Sequence, residues 1–283
     1  MDASTRLYGV IGQPISGSRS PWIHNTVFQE TGVNAGYMAF EVAPENLRDA
    51  INGFRAIGAG GLNVTIPHKT AVMELLDEID PYAQALGAVN VIAFRDGKTI
   101  GFNTDGPGLV HVLLKKESNL ASKKVLVLGA GGASRGICGA LLNAGVSVLG
   151  IWNRTSERAE SLVQGLRGFT EAVLDVHCVS DTRSFCEYDV VINTTSVGMQ
   201  PDVEIIPVAV ELLKSGCLIC DIVYKPHETR WIREAIAAGH PVVYGIEMLI
   251  EQALLAQQIW IGQTDETIDR LRTILYEQLR SSI

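Results

Sequence analysis

A nearly all-apolar strand runs directly into a glycine-rich turn at residues 124–136, where the sequence reads KVLVLGAGGASRG. A helix-forming segment, ICGALLNAG, and a second apolar stretch, VSVLGIW, follow at once. Strands with this continuous apolar character are typical of parallel sheets that helices cover on both faces. The stretch therefore predicts a strand–turn–helix–strand unit of a doubly wound α/β domain.

The same alternation of strand and helix continues along the chain. Runs rich in β-branched residues predict strands, and apolar stripes at helical spacing predict helices. The predicted strands are LYGVIG, YMAFEV (37–42), LNVTI (62–66), NVIAF and TIGF around an Asp96-Gly97 turn, DVVIN (189–193), CLICDIV (217–223) and PVVYG. The predicted helices are one that Ser20 caps and Gly32 stops, followed by 47–57, 70–79, 107–117, 228–238, 246–262 and 265–280. This order predicts two α/β domains, with the nucleotide-type unit in the second half.

Composition excludes several classes of function. The 283 residues carry a net charge of −8 without a basic stripe, so we expect no nucleic-acid partner. No apolar run approaches the ~20 residues of a membrane span, and the N-terminus lacks the pattern of a signal peptide. Five cysteines, an odd number, favour reduced thiols and a cytoplasmic protein. Cys217-x-x-Cys220 has no second pair and the six histidines show no ligand spacing, so we predict no metal site.

The glycine-rich turn is the first candidate site. Glycines between a strand and a helix allow a tight turn and let the backbone approach a pyrophosphate, which the helix N-terminus attracts. The candidate residues are Gly129, Gly131, Gly132, Ala133 and Ser134, with Ser134 at the position of the usual third glycine. The context predicts a dinucleotide, and the alternative is close packing of helix on sheet alone.

The end of the second strand of this unit predicts which dinucleotide binds. An NAD site usually has Asp or Glu there to hold the ribose hydroxyls, and this chain has Asn153, Arg154 and Thr155, with Arg158 one turn further on. Arginines beside a hydroxyl suit a 2′-phosphate through charge-assisted hydrogen bonds. We therefore predict NADP, the alternative being a solvated arginine pair at a helix start.

A lysine follows a buried strand in LNVTIPHK, where an ionised group is costly. Taken alone, Lys69 is expected to be a solvated side chain. Asp105 is expected to cap the helix that begins near Gly106. A catalytic role for either residue requires further information.

That information is a resemblance over nearly the whole chain. The sequence resembles the shikimate dehydrogenase family in the order and spacing of nine stretches. They are GQPISGSRSP (12–21), NVTIPHK (63–69), GAVN (87–90), NTDG (103–106), GAGGASRG (129–136), NRT (153–155), NTTSVGM (193–199), DIVY (221–224) and GIEMLIEQ (245–252). The resemblance implies NADP-dependent interconversion of 3-dehydroshikimate and shikimate, a step toward the aromatic amino acids. It also implies a substrate domain at 1–106 and 246–283 around a Rossmann-type NADP domain at 107–245.

The resemblance also implies roles for single residues. Lys69 and Asp105 would act beside the reacting alcohol, where a proton must leave or return as hydride moves, and a lysine near a carboxylate suits that task. The implied substrate ligands are Ser18 and Ser20 at the carboxylate, Thr65 and Tyr224 nearby, and Asn90 and Gln252 at the ring hydroxyls. The implied cofactor ligands, beyond the two turns above, are Thr195, Ser196, Ile222, Gly245 and Met248.

The sequence departs from the family pattern at two positions, of which Gly17 bears on the choice of substrate. Gly17 stands where the family often has His, and Thr229 is followed by Arg230 instead of Pro. A paralogue acting on quinate or a related polyol acid, and an inactive NADP-binding module, are the alternatives. We expect a small-molecule substrate, no membrane partner, and a monomer or homodimer.

Overall fold

A computed structural model describes residues 1–167 and 175–280, which form two compact units. The first unit is Met1–Thr104 with Gln252–Leu275, and the second is Asp105–Glu251 with the residues from Tyr276 on. The division therefore falls close to the predicted boundary after residue 106 but inside the C-terminal helices. The substrate and nucleotide roles assigned to these parts of the chain stay predictions.

The elements of the described residues follow the predicted alternation. The strands are β1 (Arg6–Gly12), β2 (Ala35–Glu41), β3 (Gly61–Val64), β4 (Glu78–Ile79), β5 (Val91–Arg95), β6 (Lys98–Phe102), β7 (Lys124–Leu128), β8 (Val148–Trp152), β9 (Asp175–Cys178), β10 (Val190–Asn193), β11 (Leu218–Asp221) and β12 (Val242–Val243). The helices are α1 (Ser20–Thr31), α2 (Leu47–Ala56), α3 (Pro81–Leu86), α4 (Asp105–Lys116), α5 (Gly132–Asn143), α6 (Ser156–Leu166), α7 (Arg230–Ala237), α8 (Gly245–Ile261) and α9 (Asp265–Arg280).

The first unit is built on a mixed sheet in the order β2-β1-β3-β5-β6-β4. Strand β1 pairs in parallel with β2 and β3, whereas β5 runs antiparallel to β3 and β6. Alternate residues along β1 enter different cores: Ile11 packs with α2, and Val10 packs with Phe28 of α1 and Trp260 of α8. The β5–β6 turn is the predicted one, with Asp96 at φ 50° and Gly97 at φ 76°.

The predicted helix at 70–79 is wrong. A short 3₁₀ turn covers Ala71–Leu75, and the chain then extends into β4, which pairs with β6. The Asp77 carboxylate accepts from the backbone N of Thr99 (2.7 Å), and the Asp77 N donates to Thr99 O (3.1 Å). These tertiary hydrogen bonds override local helix propensity. A new helix, α3, begins at once because Asp80 caps it, accepting from the N of Tyr82.

Two local predictions near the candidate site are also corrected. Strand β3 ends at Val64, so the predicted strand at 62–66 is too long, and Ile66 is 72% exposed. Helix α1 stops at a left-handed Gly32 as predicted, but its N-cap is Arg19 and Ser20 is already helical. The Ser20 hydroxyl makes no capping bond, so the predicted cap is wrong.

The second unit is a parallel sheet in the order β12-β11-β10-β7-β8-β9. Successive residues of β7 point to opposite faces: Val125 and Val127 pack with α4, α5 and α6, and Leu126 and Leu128 pack with Phe185 and α7. The strand order changes direction between β7 and β10, which makes their carboxyl ends the switch point of a doubly wound sheet. The predicted fold class, two α/β domains of which one is Rossmann-type, is confirmed.

No helix within residues 1–167 and 175–280 combines the length and the apolar character required to cross a bilayer.

Candidate functional site

The glycine turn lies at the switch point of the second unit. Gly129 has φ 114°, and a Cβ on it would lie 2.7 Å from Thr194 Oγ1 and 2.9 Å from Thr195 Cγ2. Only glycine therefore fits between β7 and the loop after β10. A Cβ on Gly131 or Gly132 would meet nothing within 4 Å. The turn thus presents open space at the N-terminus of α5, where backbone N–H groups favour an anion.

Ser134 shapes this turn from inside. Its hydroxyl is fully buried and accepts from the Gly131 N at 3.0 Å. Thr194 Oγ1 lies 2.7 Å from Ser134 Oγ and donates its own proton to Leu128 O (2.8 Å). The Ser134 hydroxyl is therefore the donor to Thr194. Among the predicted cofactor residues, Gly131, Gly132 and Ala133 are exposed, whereas Ser134 supports them from the core.

The turn after β8 carries two exposed arginines. Asn153 Nδ2 donates to Thr155 O (2.8 Å), which holds the turn closed, and Arg154, Thr155 and Arg158 all face solvent. Neither guanidinium has an ion-pair partner among the residues that the structure describes. Both positive charges are therefore available to an anionic ligand.

The other predicted cofactor residues surround the ends of β10 and β11. Thr195 donates through both its N (3.1 Å) and its Oγ1 (2.7 Å) to Asn193 Oδ1, and Ser196 is exposed beside it. A Cβ on Gly245 would lie 2.5 Å from Ile222 O, so α8 begins in close contact with the end of β11. Met248, one turn into α8, packs half-buried against the core.

Asp221 ends β11 without any exposure to solvent. Burial raises the pKa of the Asp221 carboxyl to about 6, against the opposing effect of hydrogen bonds from Thr229, Val223 and Asn193. The charged form is therefore costly in the folded protein at neutral pH.

The first unit contains a chain of buried polar side chains. Tyr37 donates from its hydroxyl to Asn63 Oδ1 at 2.6 Å, and Asn63 Nδ2 donates to Asn90 O at 3.3 Å. Burial raises the pKa of Tyr37, while a hydrogen bond with Ser20 opposes that rise. The predicted ligands Ser20 and Asn90 are thus joined through two residues that the sequence analysis did not select.

Asn90 and Ser18 are each fixed by backbone hydrogen bonds. Asn90 Oδ1 accepts from the N of Thr104 (2.8 Å), and its Nδ2 donates to Thr104 Oγ1 (3.1 Å). Ser18 Oγ accepts from the Ser20 N at 3.3 Å, which orders the start of α1. A Cβ on Gly17 would meet nothing within 4 Å, so this position has room for the histidine that the family pattern often has.

The His24 ring packs against Tyr37 and is itself hydrogen-bonded to Gln257. The His24 ring stacks on Tyr37 with centroids 4.3 Å apart, and Gln257 Nε2 lies 2.8 Å from His24 Nδ1. Burial lowers the pKa of His24 to about 3, so the imidazole is neutral. This bond ties α8 to α1 inside the first unit.

The two basic residues of NVTIPHK have different environments. His68 is buried and its Nε2 donates to Val42 O (2.7 Å), whereas Lys69 is half-buried and its carbonyl accepts from Val89 N (2.8 Å). Thr65, half-buried, packs over Gly12, and Gln252 lies buried in α8. The second unit holds Asp105, at the start of α4, and the half-buried Tyr224.

Sequence reasoning missed Tyr37 and Asn63. A polar residue inside the apolar run LNV was a usable signal for Asn63, because buried amides need hydrogen-bond partners. Nothing local marked Tyr37, since its partner is 26 residues away.

The described residues contain no group of three His, Cys, Asp or Glu side chains arranged to hold a metal ion.

A glycine turn at the switch point of a doubly wound parallel sheet defines an α/β dinucleotide-binding protein. Two family models match the chain: the shikimate dehydrogenase substrate binding domain at residues 10–92, and shikimate / quinate 5-dehydrogenase at residues 111–205. A shikimate dehydrogenase (NADP(+)) of Geobacillus sp. (strain WCH70) is 44% identical over 278 residues, 97% of this chain and 99% of the relative. The chain belongs to the shikimate dehydrogenase family.

Solved structures agree with this membership. A shikimate dehydrogenase crystallised in complex with NADP⁺ is 36% identical, with a TM-score of 0.89 over 98% of this chain and 97% of that chain. A shikimate 5-dehydrogenase from Listeria monocytogenes in complex with shikimate and NAD is 32% identical, with a TM-score of 0.89 over 97% of this chain and 98% of that chain.

Replacing Gly132 with Ala tests the open face of the turn. The new methyl group meets no protein atom, and alanine favours the helix, so we expect unchanged or slightly higher stability by urea unfolding. The methyl group would occupy the space that a pyrophosphate needs, so fluorescence titration should show weaker NADPH binding. Gly129→Ala is the contrast and should lower stability, because of its positive φ and its clash with Thr194. Unchanged NADPH affinity in Gly132→Ala would exclude this turn as the pyrophosphate site.

The Asp221 carboxyl should make stability depend on pH. Because its pKa rises from 3.8 to about 6 on folding, the folded state binds the proton more tightly than the unfolded state. The stabilising contribution of the proton is therefore present at low pH and is lost as pH rises through about 6. Between pH 7 and pH 5 the wild type should gain about 1 kcal/mol of unfolding free energy relative to Asp221→Asn. If the unfolding free energies of the two proteins, measured by urea unfolding, changed equally between pH 7 and pH 5, the raised pKa would be contradicted.

Proposed function

We propose that the protein catalyses the NADP-dependent, reversible reduction of 3-dehydroshikimate to shikimate. The observation that carries the proposal is the pairing of two ligand sites within a chain of this family. The first unit has a polar chain through Ser20, Tyr37, Asn63 and Asn90. The second has an open glycine turn and two exposed arginines that form no ion pair with the residues that the structure describes. A polyhydroxylated acid matches the hydroxyl and amide groups of the first, and a phosphorylated dinucleotide matches the second.

The proposed substrate contacts follow the chemistry of each side chain. Ser18 and Ser20, at the start of α1, bind the carboxylate, since hydroxyl donors at a helix start suit an anion. Thr65, Asn90 and Gln252 bind ring hydroxyls, because each can both donate and accept. Tyr224 is a further proposed substrate ligand, because its hydroxyl can both donate and accept.

NADP is the proposed cofactor, and it supplies or accepts the hydride when bound. The residues present fit the group. Open Cβ positions at Gly131 and Gly132 leave room for the pyrophosphate, and Arg154 and Arg158 form no ion pair with another described residue. Asn153, Thr155, Thr195, Ser196, Ile222 and Met248 are the other proposed contacts. Because the Listeria relative was crystallised with NAD, the preference of this chain requires measurement.

Proton transfer is assigned to Lys69. When hydride reaches the carbonyl carbon, the oxygen gains charge and needs a proton, which the Lys69 ammonium donates; in oxidation the amine takes that proton back. Asp105 is the second proposed catalytic group, acting as a hydrogen-bond acceptor for the reacting hydroxyl.

We also propose that the protein works in the cytoplasm as a monomer or homodimer. All five cysteines are free, and Cys138, Cys217 and Cys220 are buried, as expected in a reducing compartment. Light scattering after size exclusion would give the assembly state.

The experiment that tests the proposed function is steady-state turnover followed by nicotinamide absorbance, with shikimate and quinate each tested against NADP and NAD. We expect shikimate with NADP to give the highest kcat/KM. Higher kcat/KM with quinate would indicate the polyol-acid paralogue, and no turnover of either acid would indicate an inactive binding module.

Replacing Lys69 with Ala should lower kcat by ~10²–10⁴, the usual span for a general acid–base group. KM for shikimate should change much less, because other side chains hold the substrate. Lys98→Ala is the matched control, since Lys98 lies on the same unit and pairs with Glu78 at an exposed site. Retention of more than half the wild-type kcat by Lys69→Ala would remove Lys69 from the chemistry.

The cofactor preference should reside in the NRT turn. Two partly exposed charge-assisted bonds contribute about 1.5–3 kcal/mol, so NADP should exceed NAD by at least ~10–100-fold in kcat/KM. Arg154→Ala should weaken NADP far more than NAD, because only NADP carries the 2′-phosphate. High salt should narrow the wild-type preference by screening. Equal losses for both cofactors in Arg154→Ala would show that the arginine serves another purpose.

A further inference from the structure

Asp221 is a buried carboxylate whose neighbours are all hydrogen-bond donors. Its Oδ1 accepts from Asn193 Nδ2 (2.9 Å) and from the N of Val223 (3.0 Å), and its Oδ2 accepts from Thr229 Oγ1 (2.7 Å). No lysine or arginine pairs with it among the described residues. A buried charge without a cation is costly, and the three donors offset part of that cost. An amide would turn its own N–H₂ group toward at least one donor.

The first bond leads to the loop after β10. Asn193 uses its Nδ2 on Asp221 and also donates to Val197 O (3.3 Å), while its Oδ1 accepts from Thr195 N and Oγ1. Thr195 Oγ1 in turn accepts from the N of Val197 (3.1 Å). The Asp221 carboxylate therefore selects the orientation of the Asn193 amide, because only the N–H₂ end can face it. That orientation decides which end of the amide meets Thr195.

The other bonds order the chain after β11. The N of Val223 is held by Asp221 itself, and the N of Ile222 donates to Asn193 O (3.1 Å). Thr229 donates to Asp221 and caps α7 by accepting from the N of Ile232 (3.3 Å). One carboxylate thus fixes the segment from Ile222 to the start of α7, together with the loop of Thr195.

The loop after β10 lies at the switch point of the sheet, and the segment after β11 lies one strand further along. Asn193 and Asp221 are paired at the carboxyl ends of neighbouring parallel strands, and a Cβ on Gly129 would collide with Thr195. In open α/β sheets, ligands bind outside these ends. Arg154 and Arg158 follow β8, on the other side of β7 from β10, so the two ends of a dinucleotide would meet different loops.

We propose that Asp221 is a positioning residue for the nicotinamide half of the dinucleotide, acting through Asn193 on Thr195 and directly on the segment after Ile222. This inference rests on the proposed function for the identity of the cofactor. It assigns the adenosine half to the arginine turn, and that half should not depend on Asp221.

The test compares two probes on two Asp→Asn variants. NADPH spans both halves of the site, whereas adenosine 2′,5′-bisphosphate contains only the adenosine half. Asp221→Asn should weaken NADPH binding about tenfold, as expected for one lost charge-assisted bond, and change adenosine 2′,5′-bisphosphate binding by less than twofold. The control is Asp189→Asn. Asp189 lies just before β10, at the amino ends of the strands of the same sheet. Its carboxylate accepts from Lys124 N (3.0 Å) and Lys214 Nζ (2.6 Å). It should leave both affinities unchanged even where it lowers the melting temperature.

Turnover provides the second readout. Asp221→Asn should lower kcat with NADP by a larger factor than it raises KM for shikimate, since Tyr224 is the one proposed substrate ligand in the segment that Asp221 fixes. Should this variant fail to fold, Thr229→Val, which keeps the carboxylate and removes one donor, should give a smaller loss of NADPH affinity in the same direction. Equal losses for both probes, or no loss for either, would overturn the positioning role. The two binding measurements need no substrate. They therefore test the role of Asp221 even if the wild type does not oxidise shikimate and the proposed function is wrong.

Discussion

Parallel pairing brings the carboxyl ends of β7, β10 and β11 to the same end of the sheet. Backbone N–H and C=O groups of the segments that follow these strands no longer pair within the sheet and need other hydrogen-bond partners. Buried side chains supply several of these partners, beside backbone bonds such as Ile222 N to Asn193 O (3.1 Å). Thr194 Oγ1 donates to Leu128 O. Ser134 Oγ accepts from the Gly131 N, and the Asp221 carboxylate accepts from the Val223 N. Each bond also sets the path of a loop, so the need for hydrogen bonding at these strand ends orders the loops that we propose to bind the cofactor.

In the first unit, too, buried polar side chains hydrogen-bond one another inside the fold. Its mixed sheet is covered on both faces, yet Asn63 in β3 and Tyr37 in β2 are polar and buried. Their mutual bond satisfies both groups and directs the remaining hydrogen-bonding capacity of the chain toward Ser20 and Asn90. A neutral His24, stacked on Tyr37 and bonded to Gln257, keeps this arrangement rigid without adding charge. Rigidity of this kind would hold the proposed ligand groups in place before the ligand arrives.

Sequence patterns predicted what depends on local composition. The apolar run of β7, the turn glycines and the left-handed stop at Gly32 all follow from neighbouring residues. Failures occur where a distant partner decides. Thr99 converts the predicted helix at 70–79 into an extended segment, and Tyr37 engages the Ser20 hydroxyl that was expected to cap α1. The family resemblance selected ligand residues that no local pattern could, but it left out Tyr37 and Asn63, whose importance depends on a contact across strands. It also omitted Asp221, because a carboxylate closing a strand shows no function until its three donors are known.

Charge explains how an acidic protein can be suited to anions. With a net charge of −8, the chain as a whole repels both a carboxylate substrate and a phosphorylated cofactor. Attraction must therefore be local. In the proposed sites, the N-terminus of α5, the exposed pair Arg154 and Arg158, and Lys69 would provide it. Asp221 adds no counter-charge at the surface because it is fully buried. Long-range repulsion weakens over about a Debye length, ~8 Å at physiological salt, whereas hydrogen bonds at contact distance are affected much less. Specific recognition in this protein therefore depends on loops held in place by buried groups, and not on the overall field.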